Sequence, residues 1–305
     1  MKAFQIDSVL IKNQTDGNCS LLIFLPNELL GQPSLRKAAS FDMLTFNEMG
    51  LYAESEAIYA AISSLSELQL ASTAADELVL ILNHAGLVDI IFGSLSDVSE
   101  LDLVQLRNLL KDDRPSKWNQ YSVYSNYGIS RKLYESIAVF DLEDDVNAVF
   151  EKLRILLPSS RELDRLFRHL KRLESQLRAL GVQSSTLLAP LFIPSNFKYY
   201  QDGIVFKVVR KIKRTSSVIL SGGRYDSLIR TLQYPGKKLA FPSAIGFTID
   251  LELLDHHQLE GADAHHRIDV LLVALGSWND TFEVLEMVSN LRSSGITGMA
   301  LLFNF

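Results

Sequence analysis

The segment Asp202 to Leu228, "DGIVFKVVRKIKRTSSVILSGGRYDSL", leaves a chain few ways to fold. Its halves "DGIVFKVVRK" and "SSVILSGG" are rich in β-branched and apolar residues, and "IKRT" between them reads as the turn of a hairpin. Strands joined by so short a turn pair antiparallel, because a parallel pair needs a long crossover. The second strand runs into Gly222 and Gly223, then Arg224, Tyr225 and Asp226, and a helix begins. Paired glycines let a ligand or a neighbouring backbone come close. Arg224 suits bidentate binding of a carboxylate, and Asp226 suits capping the helix or accepting from a cation.

The rest of the chain supplies partners for that hairpin. Before residue 95 short apolar strands, "FQIDSVLIK", "SLLIFLP", "SFDMLTFNEMG" and "ELVLILNHAG", surround one helix, in which Ile58, Ile62 and Leu65 share a face. Residues 95–181 are helical in pattern. The longest helix has a stripe of Leu163, Leu166, Leu170, Leu173, Leu177 and Leu180, with Ser160 as its cap and Gly181 as its stop. "FPSAIGF" is a further strand, with a helix expected from Ile249-Asp250-Leu251-Glu252. "HHQLEGADAHHR" reads as a linker, and "IDVLLVALG", "TFEVLEMVSNLRSSG" and "ITGMALLF" follow as a strand-helix-strand unit with parallel strands. These patterns predict an α+β fold: an antiparallel sheet with flanking helices, a helical insertion and a partial carboxy-terminal α/β unit. The expected divisions are 1–94 and 182–260 for the two parts of the core, 95–181 for the insertion and 268–305 for the final unit.

Composition narrows the function classes. No apolar run approaches the roughly 20 residues of a membrane span, and the amino terminus lacks a signal-peptide pattern. Cys19 is the single cysteine, so intramolecular disulfides and cysteine-based zinc sites are excluded. His256, His257, His265 and His266 come as adjacent pairs that point differently, without an Asp or Cys companion at ligand spacing, so no metal is expected. A cytoplasmic protein without a cofactor is the expectation. The formal net charge is -6, yet residues 151–240 hold 18 Lys and Arg against 6 Asp and Glu, and the remainder holds 12 against 30. A basic segment inside an acidic chain is a footprint of a polyanionic partner.

The ordered set "FKYYQDGIVFKV", "GGRYDSL" and "FPSAIGFTIDLELL" resembles histidyl-tRNA synthetases, which are class II aminoacyl-tRNA synthetases. The resemblance is densest from Lys198 to Leu254 and extends through "FDMLTFNEMGLYAESEAI", which is similar to the second strand of class motif 2. It implies a class II synthetase-like sheet, with Tyr199, Tyr200, Gly222, Gly223, Arg224 and Tyr225 as a vestigial amino-acid pocket. It also implies that the positions of two catalytic arginines have been lost. Leu253 stands where motif 3 has an arginine, and Ser195 stands where one precedes the tyrosine pair. The strand taken as motif 2, "SLLIFLP", has no arginine either. Adenylation needs fixed cations where phosphate charge develops, so the resemblance implies a pseudo-enzyme. The first class motif would lie before Met1, and the last unit stops at Phe305, so a fragment of a longer protein is expected.

Among such degenerate members, the chain resembles most the synthetase-like regulatory domain of the general-control, starvation-sensing kinase that phosphorylates the alpha subunit of translation initiation factor two. No "HRD" or "DFG" kinase signature is present. That likeness implies uncharged tRNA and a linked kinase domain as partners, and a homodimer in the intact protein. Two alternatives fit parts of the pattern: a regulatory subunit of ATP phosphoribosyltransferase in histidine biosynthesis, and an active histidyl-tRNA synthetase. The candidate tRNA-binding residues are Arg36 and Lys37, which the resemblance aligns with a loop near the tRNA acceptor end, and Lys207, Arg210, Lys211, Lys213 and Arg214 of the hairpin. Arg161, Arg165, Arg168, Lys171, Arg172 and Arg178 of the long helix suit either phosphate tracking or a solvated face, since Glu162, Asp164 and Glu174 interleave.

Overall fold

The computed structural model describes residues 3–5, 21–27, 32–45, 51–67, 76–95, 98–110, 125, 128–193, 200, 203–212, 215–231, 243–250, 270–275, 281–296 and 298–303. Eight of the described strands form one sheet: β1 (Ala3–Gln5), β2 (Leu21–Asn27), β3 (Gln32–Thr45), β4 (Asp76–His84), β5 (Ser185–Leu188), β6 (Ile204–Ile212), β7 (Thr215–Arg224) and β8 (Ser243–Asp250). The order is β1-β3-β8-β7-β6-β4-β5, with β2 on β3. Only the β4–β5 pair in this sheet is parallel. The hairpin forms as the sequence predicts, with Ile212 opposite Thr215.

Register explains the sheet's two faces. Phe41, Phe247, Gly222, Phe206 and Leu82 are cross-strand neighbours, so they share a face. Phe247 stacks on Phe41 at 5.0 Å and meets Phe206 edge-on at 6.5 Å across the glycine. One residue along, Asp42, Gly246, Gly223, Val205 and Asn83 form the next row, on the opposite face. Ser40, Thr248, Ser221 and Lys207 follow on that same face. One face is therefore aromatic and covered, and the other is polar.

The aromatic row fixes Gly222. A methyl group there would overlap the Gly246 carbonyl oxygen and sit 2.7 Å from Phe247 Cβ and 2.8 Å from Phe206 Cζ. Gly222→Ala is expected to lower stability by about 2 kcal/mol, because the overlap outweighs the smaller unfolded-state entropy of alanine. Urea unfolding with an unchanged m-value would measure this, and a stabilised variant would refute the close-packed row.

Helices cover the aromatic face and extend past it. They are α1 (Leu51–Glu67), α2 (Ala85–Gly93), α3 (Glu100–Leu110), α4 (Arg131–Ala138), α5 (Val146–Leu156), α6 (Arg161–Ala179), α7 (Asp226–Thr231) and α8 (Thr281–Ser293). In α1, Ile58 and Leu65 are fully buried and Ile62 nearly so. The α6 leucine stripe is buried throughout, from Leu163 to Leu180. Ser160 accepts from the Leu163 amide at 3.0 Å, and Gly181 ends the helix at φ +83°.

Strands β9 (Val270–Leu275) and β10 (Gly298–Phe303) pair in parallel around α8, as the sequence pattern predicts. Leu285 and Val288 of α8 pack with Tyr52 of α1 and Leu180. Arg292 pairs with Glu56 and lies 4.4 Å from the Tyr59 ring. The unit is thus held against α1 by apolar contact and a largely buried ion pair. No described helix is long and apolar enough to cross a membrane.

Two sequence expectations need correcting. The strand through "SAIGFTID" runs to Asp250, so Ile249 and Asp250 do not start a helix. Pairing on both sides, with Ala38 and Ala39 of β3 and Leu220 of β7, keeps that segment extended. Arg36 and Lys37 lie on β3 opposite Ile23 and Leu22, not in a loop. Leu251 and Glu252, the expected linker and its histidines fall outside the described residues.

Candidate functional site

The polar face carries the candidate site. Gly246 and Gly223 face each other across β8 and β7, and neighbouring side chains use the volume they leave. A methyl on Gly246 would sit 2.5 Å from Asp42 Oδ1, and one on Gly223 would sit 3.1 Å from the Tyr200 ring. The Tyr225 hydroxyl donates to Asp42, and its ring lies edge-on to Tyr200 at 6.1 Å. Burial raises the Tyr200 hydroxyl to about 12, with the Asp42 charge adding to it, and burial followed by Asp42 also raises Tyr225. Both tyrosines therefore stay protonated donors around a carboxylate.

At one end of this face, buried Asn83 donates to the carbonyl oxygens of Pro190 at 2.9 Å and Phe192 at 2.7 Å. Lys207 lies 4.3 Å from the Phe192 ring. The segment after β5 is thereby tied across the sheet beside the site.

Arg224 alternates with Gly223 and so points to the helical side. Its Nε and Nη2 both reach Asp226 Oδ2, at 2.9 and 2.8 Å, and its Nη1 reaches Glu54 Oε1 of α1 at 3.2 Å. Asp226 Oδ1 accepts from the Ala244 amide at 3.0 Å, so the carboxylate clamps β7 to β8 rather than only capping α7. Burial of Arg224 opposes its charge, but Asp226 and Glu54 outweigh that and raise its pKa.

Glu54 is 1% exposed, and its Oε2 accepts from His169 Nε2 of α6 at 2.7 Å. Burial pushes this carboxyl up, yet the His169 bond and the charges of His169 and Arg224 hold it below its ordinary value. His84, at the end of β4, meets His169 edge-on at 5.5 Å. Its Nδ1 accepts from the Gly86 amide at 3.0 Å and caps α2. Burial, followed by the nearby positive groups, lowers His84 to about 4.

Of the predicted pocket, Tyr200, Gly223 and Tyr225 meet on the polar face, whereas Gly222 and Arg224 face the helices. Tyr199, Ser195 and Leu253 lie outside the described residues. The hairpin cations do not form one described patch. Arg210 and Lys211 alternate between faces, Lys211 stands opposite Glu77, Lys207 lies over Phe192, and Lys213 and Arg214 are outside the described residues. The sequence did not single out Asp42, Glu54, His84 or His169. The available signal was a pair of acids, Glu54 and Glu56, in the largely apolar helical stretch "YAESEAIYAA" and a histidine closing a buried strand. Among the described residues no three His, Cys, Asp or Glu side chains cluster as metal ligands.

Chemically, two carboxylates, Glu54 and Asp226, occupy the one guanidinium on the helical side, and a third, Asp42, faces the tyrosines on the polar side. Such a site suits donors and cations, and offers little to a triphosphate.

The model of the family described as histidyl-tRNA synthetase matches residues 45–254. The eIF-2-alpha kinase GCN2 of Schizosaccharomyces pombe is 24% identical over 266 residues, covering 81% of this chain and 16% of that protein. An ATP phosphoribosyltransferase regulatory subunit of Synechococcus sp. (strain WH7803) is 26% identical over 255 residues, covering 83% and 60%. Other cyanobacterial relatives share that second description. The chain therefore spans less than two thirds of either relative. The crystal structure of histidyl-tRNA synthetase from Nostoc sp. PCC 7120 superposes with a TM-score of 0.56 at 18% identity, covering 95% of this chain and 66% of that one. That likeness shows the fold.

Proposed function

This chain belongs to the histidyl-tRNA synthetase family, and on that premise we propose that it is a non-catalytic, regulatory member. The observation that carries the proposal is the state of Arg224, whose charge Asp226 and Glu54 take up within the fold instead of leaving it open to a ligand. Leu253 and Ser195, at positions where the resemblance expects arginines, add to it. Loss of one donor to developing charge costs on the order of 10²–10³ in rate, and several losses compound. Histidine-dependent ATP–pyrophosphate exchange is therefore expected to be absent. Exchange at a rate typical of synthetases would overturn the proposal.

Two partners fit a regulatory member. The relatives described as ATP phosphoribosyltransferase regulatory subunits back that transferase more broadly. The kinase-linked sensor of uncharged tRNA is the second reading. It is favoured by the GCN2 match, by the basic segment 151–240 and by the α/β unit docked after the core. Parallel titrations with the transferase catalytic subunit and with deacylated tRNA separate them. Complex formation with the transferase alone supports the first, and salt-sensitive RNA binding alone supports the second.

A further inference from the structure

The longest described helix, α6, carries three of its arginines on one line. Arg161, Arg165 and Arg168 recur at i, i+4 and i+7, spacing that stacks side chains along one face, and all three are exposed. From the sequence, the interleaved acids favour a neutralised, solvated face over a phosphate track. The contacts separate the two.

Asp164 pairs with Arg154 at 3.4 Å. Glu174, itself largely buried, is held by Lys171 at 2.9 Å and Arg178 at 2.5 Å. These acids are satisfied by other cations. Among the described residues, no carboxylate lies within ion-pair distance of Arg161, Arg165 or Arg168, and Arg168 donates only to the backbone oxygen of Asp164. Glu162 is the one acid beside the line that has no cation bound to it among the described residues. The opposite side of α6 is anchored by its buried leucines, so the backbone positions of the three arginines keep a fixed rise of about 6 Å and then about 4.5 Å.

We propose that the Arg161–Arg165–Arg168 line is a docking surface for the phosphate backbone of a structured RNA. A linear row of arginines anchored at regular points on one helix matches a repeating anion, and guanidinium forks suit phosphate oxygens. The line carries no apolar residue, whereas a protein interface centres on an apolar core. The charge excess of residues 151–240 lies partly on this helix and concentrates the same field. The inference rests on the RNA-binding reading above and assigns it a surface outside the synthetase-like pocket.

The test is fluorescence anisotropy with the whole chain and deacylated tRNA across a salt series. Three forms are compared: the unaltered chain, the triple variant R161Q/R165Q/R168Q, and R178Q. Arg178 lies exposed on the same helix but is paired with Glu174, so R178Q controls for a general loss of charge. The triple variant is expected to weaken binding by at least about tenfold near 0.1 M salt, and to reduce the logarithmic salt slope by roughly two to three, while R178Q binds like the unaltered chain. The single variants R161Q, R165Q and R168Q each remove about one unit of slope, which keeps the test open if the triple variant folds poorly.

RNA affinity unchanged in the triple variant overturns the proposal and leaves RNA binding to another surface. The same holds if the triple variant instead loses binding to polyglutamate, a stand-in for an acidic protein. Equal losses in the triple variant and R178Q also overturn it. No RNA binding by the unaltered chain at low salt removes the RNA-binding reading itself.

Discussion

Arg224→Met is expected to lower the unfolding free energy by about 3–5 kcal/mol, the largest effect of any single substitution in the site. The cost comes less from a lost attraction than from what is left behind. Glu54 is buried at 1% exposure, and without the guanidinium its Oε1 loses its charged partner while Oε2 keeps only His169. Asp226 retains the Ala244 amide but loses the two Arg224 bonds that balance its charge. Truncating one member of a buried pair strands a charge, whereas removing both partners is often nearly neutral. The double variant R224M/E54Q should therefore recover a substantial part of the loss. Urea unfolding of both variants at pH 7 provides the measurement. A loss below about 1 kcal/mol for Arg224→Met would mean that the pair does not hold α1 against β7.

The same result bears on function. An arginine in "GGRYD" reads from sequence as a ligand-binding group, and the pocket assignment followed that logic. Its actual partners are 170 residues upstream in α1 and two residues downstream in α7. A group needed to join helix to sheet has little freedom to turn toward a substrate. The frame of such a site thus has a structural role of its own, joining α1 to the sheet.

Local pattern made much of this fold legible. The hairpin, the glycine pair and the α6 stripe depend on neighbours within a few residues, where spacing alone decides which side chains meet. Strand β8 was misread at its end because its extension to Asp250 depends on two partner strands, and tertiary pairing overrides local propensity there. Arg36 and Lys37 were misplaced for a similar reason, since the β2–β3 register puts both within a strand. The Glu54–His169 pair was hidden most completely. Glu54 and His169 are 115 residues apart, and no periodicity relates an acid on one helix to a histidine on another. Their contact appears only once both helices pack on the sheet.

His84 should make the protein lose about 2–3 kcal/mol of stability between pH 6.5 and pH 4, and His84→Asn should remove that part of the dependence. The ring sits between positive groups: His169 edge-on, Arg165 on α6 and Arg224 on β7, with Glu54 the opposing carboxylate. Burial is the larger cause, and together they lower its pKa from 6.5 to about 4. The unfolded chain then binds this proton more readily than the folded one. Stability is therefore full above about pH 6.5 and falls as pH drops through the window toward 4. Protonation would also end the cap, because Nδ1 could no longer accept from the Gly86 amide. Asparagine keeps an acceptor suited to that cap without a titrating group, so His84→Asn separates titration from capping. Glu54 acts in a different window. Its folded pKa lies below 4.5, so its contribution is present above that value and fades only as pH falls through its folded pKa. Unfolding curves of both proteins from pH 7.5 to pH 4 give the difference directly. A slope shared by both would assign the proton to another group and leave His84 only its capping role.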